Sequence, residues 1–152
     1  MRGPPDRAAS PPTEGRIDVL VNPRARQVRR AGDLDLDRGL GPDDRVHRPV
    51  GLDALARTAR ALAADPPAVL GLVGGDGTCG RALSALTHAF GDRPLPPVAL
   101  LGGGTMNTIA RSIGATEGPR RALARLLAWR DGAGGLHPVT RHLLEVDGHR
   151  RG

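Results

Sequence analysis

The sequence predicts an open α/β domain: a parallel sheet with flanking helices. Three observations carry this. Apolar runs at 17–21, 68–73 and 98–101 end in Asn-Pro or in glycines. Apolar residues at helical spacing follow the last two runs. Those runs, AVLGLV and VALL, are also apolar without alternation, as expected of strands covered on both faces.

Residues 1–15, MRGPPDRAASPPTEG, read as a Pro-rich disordered tail, with no apolar centre of a signal peptide. Ile17, Val19 and Val21 alternate in RIDVLVN, a strand that ends at Asn22-Pro23. RARQVRRAG is compatible with a short helix or a loop, and DRVHRPV reads as a weak second strand. Leu52, Leu55, Ala59 and Leu62 mark a helix, with Asp53 and Arg57 spaced as an i,i+4 pair on its other face. Pro66-Pro67 stops it.

After the first glycine cluster, Ala82, Leu83, Leu86 and Ala89 line a second helix. After the second cluster, Met106, Ile109, Ala110 and Ile113 share a face, and Gly114 suits a C-terminal cap. GPRRALARLLAWRDG predicts a last helix with Pro119 in its first turn and Leu123, Leu126 and Leu127 inward. RHLLEVDG reads as one more strand. The expected division is a tail at 1–15, a nucleotide-binding domain at 16–137 and the start of a β-rich domain at 138–152.

The chain is 152 residues long, enough for one domain with a real core. All 22 basic residues are arginine, and the net charge is +6. That charge suits an anionic partner, but the arginines are scattered and stacking aromatics are nearly absent, which argues against nucleic acid. Cys79 is the only cysteine, so there is no internal disulfide and no cysteine zinc site. It reads as a small buried filler, and a reducing, cytoplasmic setting is expected. His47, His88, His137, His142 and His149 show no metal-ligand spacing and read as surface or packing residues.

The chemistry is expected where Gly74–Gly77 and Gly102–Gly104 each lead from a strand end into a helix. Glycine admits close approach of an anion, and a helix N-terminus offers free N–H groups and a favourable dipole. Two such turns at one sheet edge suggest a polyphosphate. Gly75-x-Gly77-x-x-Gly80 formally matches a dinucleotide fingerprint, but no acidic residue ends the next strand to hold a ribose. A Walker loop is excluded by the lack of lysine. A ligand-free Asp-Gly turn would leave the second cluster unexplained. Asp76 beside phosphates becomes favourable when Mg²⁺ lies between them, so its expected role is metal ligand or acceptor of a hydroxyl proton.

Three segments in order carry a family resemblance: VLVNPRA at 19–25, GGDGT at 74–78 and GTMNTIARSIG at 104–114. Together they resemble the diacylglycerol kinase catalytic domain family, and GGDGT is shared with sphingosine and NAD kinases. The resemblance implies the N-terminal domain of an ATP-dependent lipid kinase that phosphorylates a lipid hydroxyl such as that of diacylglycerol. ATP and Mg²⁺ would be met by Asn22, by Gly74, Gly75, Asp76, Gly77 and Thr78, and by Gly104, Thr105 and Asn107. Arg111, one turn after Asn107, would face the phosphates or the solvent. The resemblance also implies a setting at the inner face of the membrane, and an acceptor-binding β-rich domain here missing or only begun. The alternatives are a non-catalytic nucleotide-binding fragment and an NAD kinase-like enzyme. Unpaired apolar residues in RHLLEVDG would favour a homodimer.

Overall fold

The computed structural model describes residues 15–30, 35–104 and 107–140. In chain order the elements are β1 (Ile17–Val21), α1 (Arg26–Arg30), β2 (Arg45–His47), α2 (Leu52–Ala64) and β3 (Val69–Gly74). They continue with α3 (Asp76–Phe90), β4 (Val98–Gly103), α4 (Thr108–Ser112) and α5 (Pro119–Arg130).

The four strands form one all-parallel sheet in the order β2-β1-β3-β4. Ile17 pairs with Val69, Val21 with Val73, and Leu72 with Leu100. The chain leaves β1 toward β2 on one side and later adds β4 beyond β3 on the other. The direction therefore switches between β1 and β3. In open α/β sheets a ligand crevice forms outside the strand carboxyl ends at such a point.

Strand periodicity divides the core into two layers. On one face Ile17, Val19, Val21, Val69, Val73 and Leu101 pack with Val28 of α1 and Leu123, Leu126 and Trp129 of α5. On the other, Leu20, Leu70 and Leu72 pack with Ala59 and Leu62 of α2 and Ala82, Leu86 and Phe90 of α3. Each large aliphatic side chain fully buried this way contributes about 1.5–3 kcal/mol. Pro119 occupies the first turn of α5. Gly114 ends α4 at φ +82°, with its N–H on the Arg111 carbonyl and the Ala115 N–H on Ala110. That pairing is a Schellman cap, as the sequence suggested.

Charge closes the amino end of the sheet. The Asp44 carboxylate accepts the backbone N–H of Ile17 at 2.8 Å and of Gly41 at 2.7 Å, and meets Arg130 Nη1 at 2.9 and 2.7 Å. Asp18 is wholly buried, 2.6 Å from Arg16 Nε and 2.8 Å from His47 Nε2. Arg16 in turn reaches Asp65 at 2.7 Å. An open cleft of about 420 Å³ lies beside this lattice, lined by Arg16, Asp44, Arg130 and neighbouring loop residues.

Several expectations need correction. Leu52, the first residue of α2, is 55% exposed and takes no part in the buried face. Asp53 and Arg57 are both exposed and form no ion pair. Val98, Ala99 and Leu100 are half-buried, since β4 is an edge strand among the described residues. Ile109 is 39% exposed and only Ala110 of α4 is buried: a five-residue helix is too short to lay a stripe on the sheet. Met106, the tail at 1–14 and the strand expected in RHLLEVDG lie outside the described residues. Residues 133–140 carry neither helix nor strand.

Candidate functional site

β1 delivers Asn22 to the switch point. Its N–H extends the ladder to the Val73 carbonyl at 2.9 Å. The side-chain oxygen accepts the Arg24 N–H at 2.9 Å, an Asx turn that fixes the Asn-Pro bend. The amide nitrogen donates to Thr78 Oγ1 at 2.7 Å, so the β1 and β3 loops are joined across the crevice.

β3 ends at Gly74, and α3 begins directly at Asp76 with Gly75 as its N-cap. The sequence-predicted turn is therefore already helix. Gly74 is demanded by packing, because a Cβ there would lie 2.5 Å from the Thr78 side chain. Gly75 and Gly104 meet backbone to backbone: a Cβ on Gly104 would stand 2.3 Å from the Gly75 Cα. The two glycine clusters thus abut, as the sequence suggested. Gly77 and Gly80 are different, for a Cβ on either meets nothing within 4 Å.

The loop after β4, which forms the third wall of the site beside the β1 and β3 loops, hangs on Asn107, whose φ of +48° and ψ of 42° are left-handed. Its side chain turns back to Gly104, accepting the N–H at 2.9 Å and donating to the carbonyl at 3.1 Å. Asn tolerates this conformation better than most residues because such local bonds offset its cost. Gln27 of α1 reaches the same Gly104 carbonyl at 3.3 Å. Sequence reasoning missed Gln27, and no motif signal marks it.

Because Asn107 faces backward, it makes no side-chain cap for α4. Asp76 does so from across the site. Its Oδ2 accepts the Thr108 N–H and its Oδ1 the Ile109 N–H, each at 3.0 Å. The Ile109 amide, then the Thr108 amide, hold this carboxylate below its ordinary pKa. Glycine spacing around Asp76 gave no hint of a partner 32 residues away.

The remaining residues divide plainly. Thr105 lies outside the described residues. Arg111 is exposed on α4. Ala25 packs into the core under α1. Cys79 is buried, and burial together with the Asp76 charge pushes its thiol up, which fits a filler and not a nucleophile. His47 belongs to the amino-end lattice and not to this edge. No group of three or more His, Cys, Asp or Glu able to hold a metal occurs among the described residues. A lone Asp76 fits the pattern in which Mg²⁺ is held by one carboxylate plus substrate phosphates.

The architecture is an open parallel α/β sheet whose two abutting glycine turns lie at the carboxyl ends of neighbouring strands β3 and β4. The diacylglycerol kinase catalytic domain model matches residues 17–132, and the chain belongs to that family. Among solved structures, a diacylglycerol kinase from Bacillus anthracis str. Sterne superposes with a TM-score of 0.58 at 22% identity, over 74% of this chain and 41% of that one. A second structure from the same organism, described as a "putative diacylglycerol kinase", gives 0.59 at 19% identity, over 74% and 38%. The chain thus spans about two fifths of the length of these neighbours, and the likeness is one of fold. No curated protein matches. No helix among the described residues is long and apolar enough to cross a membrane.

Proposed function

We propose that this chain forms the ATP-binding part of a lipid kinase that transfers the γ-phosphate to a lipid hydroxyl such as that of diacylglycerol. One observation carries the reading. Gly77 and Gly80 sit in the first turns of α3, where glycine costs about 1 kcal/mol each relative to alanine. Packing requires neither, since a Cβ would meet only open space. At Gly77 this bareness makes sense if a phosphate chain lies against the free N–H groups of the first turn, while the Gly80 N–H falls within the helix ladder and its bare surface leaves the approach clear.

In this reading Gly74–Thr78 cradle the phosphates, Asn22 shapes the first loop, and Gly104, Thr105 and Asn107 form the opposite wall. Asp76 accepts one N–H on each oxygen, which leaves a further lone pair on each. Those lone pairs suit a Mg²⁺ ligand or an acceptor for the hydroxyl proton. Bound Mg²⁺ would neutralise charge on the transferring phosphoryl group. The lipid oxygen attacks the γ-phosphorus in line, the bond to the β-phosphate oxygen breaks, and ADP leaves. The acceptor would be held by a β-rich second domain starting near residue 138, at the cytoplasmic face of a membrane.

Titration calorimetry with ATP, ADP and NAD, with and without Mg²⁺, tests the reading. ATP with Mg²⁺ is expected to bind in preference to NAD. A preference for NAD would overturn it in favour of an NAD kinase-like enzyme. The capped state of Asp76 favours one second reading, a nucleotide-binding module without catalysis. ADP release that stays independent of added diacylglycerol would support that module instead.

A further inference from the structure

A five-residue helix does not persist alone in water, because nucleation costs more than so few hydrogen bonds return. α4 also lacks a side-chain cap of its own at the N-terminus, since the Asn107 side chain is spent on Gly104. What ends its first turn is a carboxylate from another element: Asp76 of α3 takes the Thr108 and Ile109 N–H groups, one on each oxygen. The same turn of α3 touches the second loop through Gly75 and Gly104. Among the described residues, the third wall is held by the glycine contact, the Gln27 amide on the Gly104 carbonyl at 3.3 Å, and the Asp76 carboxylate. Only the last is charged, and it meets the first turn of α4, which also contacts β4 and buries Ala110.

We infer that Asp76 is a positioning residue, a clamp that holds α4 and the Asn107 wall against the first turn of α3. The clamp also couples two events. A carboxylate shared between two N–H donors and a cation gives part of its charge to each. A cation on the free lone pairs of Asp76 would be felt at Thr108 and Ile109. That the clamp serves a nucleotide rests on the function proposed above; the clamp itself does not.

The test uses the full chain with Asp76, Asp76→Asn and Asp76→Ala, followed by backbone amide NMR and hydrogen exchange. Asp76→Ala is expected to speed exchange at Thr108 and Ile109 about ten-fold, the size of a lost helix cap. Amides of Val19 and Leu72 in the central strands should keep their protection, which shows that the variant folds. Asp76→Asn retains one acceptor oxygen and should lie between the two. Mg²⁺ added to the ATP-saturated protein should shift the Thr108 and Ile109 signals in the wild type and not in Asp76→Ala. Unchanged exchange at Thr108 and Ile109 in Asp76→Ala would overturn the clamp. Mg²⁺ shifts absent from the wild type, or persisting in Asp76→Ala, would overturn the coupling. Failure of the wild type to bind ATP would overturn the nucleotide reading, while the exchange result still decides the clamp.

Discussion

Gly77 and Gly104 are both glycines of the site, yet they are glycine for opposite reasons. At Gly104 the protein itself leaves no room, with the Gly75 Cα standing 2.3 Å from a Cβ position. At Gly77 it leaves all the room available. Gly77→Ala should therefore raise stability by up to about 1 kcal/mol, because alanine is the better helix former. For a domain of this size that is a rise of about 2–4 °C in Tm. ATP affinity should fall several-fold in the same variant, since the methyl group enters the space assigned to phosphate. Thermal melts and titration calorimetry on one sample read both. A stability gain without an affinity loss would mean that the open space is not a phosphate site. The glycines were legible in the sequence because their types and order are local. The cap that Asp76 makes on α4 and the reach of Gln27 to Gly104 were not, because each joins elements far apart in the chain.

Among the elements, β3, α3 and α5 could be read well, for their patterns are long and undiluted: six buried residues in a row in β3 and a leucine stripe in α5. α4 could not, because five residues are too few to establish a period. The contacts that fix α5 to the sheet also stayed hidden, since Arg130 and Asp44 are 86 residues apart. Asp44 is only 2% exposed at its side chain. Burial alone would raise its pKa, but the Ile17 amide, Arg130 and the Gly41 amide together hold it below the ordinary value. A depressed folded-state value means stability that is present above the unfolded pKa of about 3.9 and lost as pH falls through the folded one. Asp44→Ala should thus cost about 3 kcal/mol at neutral pH, since it leaves Arg130 and two amides short of their partner. Denaturant melts should find the variant and the wild type converging as the pH drops below about 4. A constant gap down to pH 2 would contradict this account.

At the scale of the whole molecule, the two edges of the sheet do different work. The carboxyl edge gathers Asn22, the glycine turns and Asn107. The amino edge holds the ion-pair lattice, and the open cleft there is lined by Gly15 and Arg16 from the start of the domain and by Arg130, Asp131 and Gly132 from its end. The polypeptide thus runs through every strand and returns beside its own beginning, on the side away from the site. Order of synthesis and arrangement in space are therefore separable. A circular permutant that joins residue 132 to residue 15 by a short flexible linker, and opens the chain in the loop at 91–97 between α3 and β4, breaks no strand and no glycine turn. Such a permutant should melt cooperatively and keep the ATP affinity of the parent. Arg130 and Asp44, 86 positions apart in the natural order, would then lie closer in sequence, whereas the paired strands β3 and β4 would lie further apart. Folding should therefore slow while the native arrangement is kept, since higher contact order slows it.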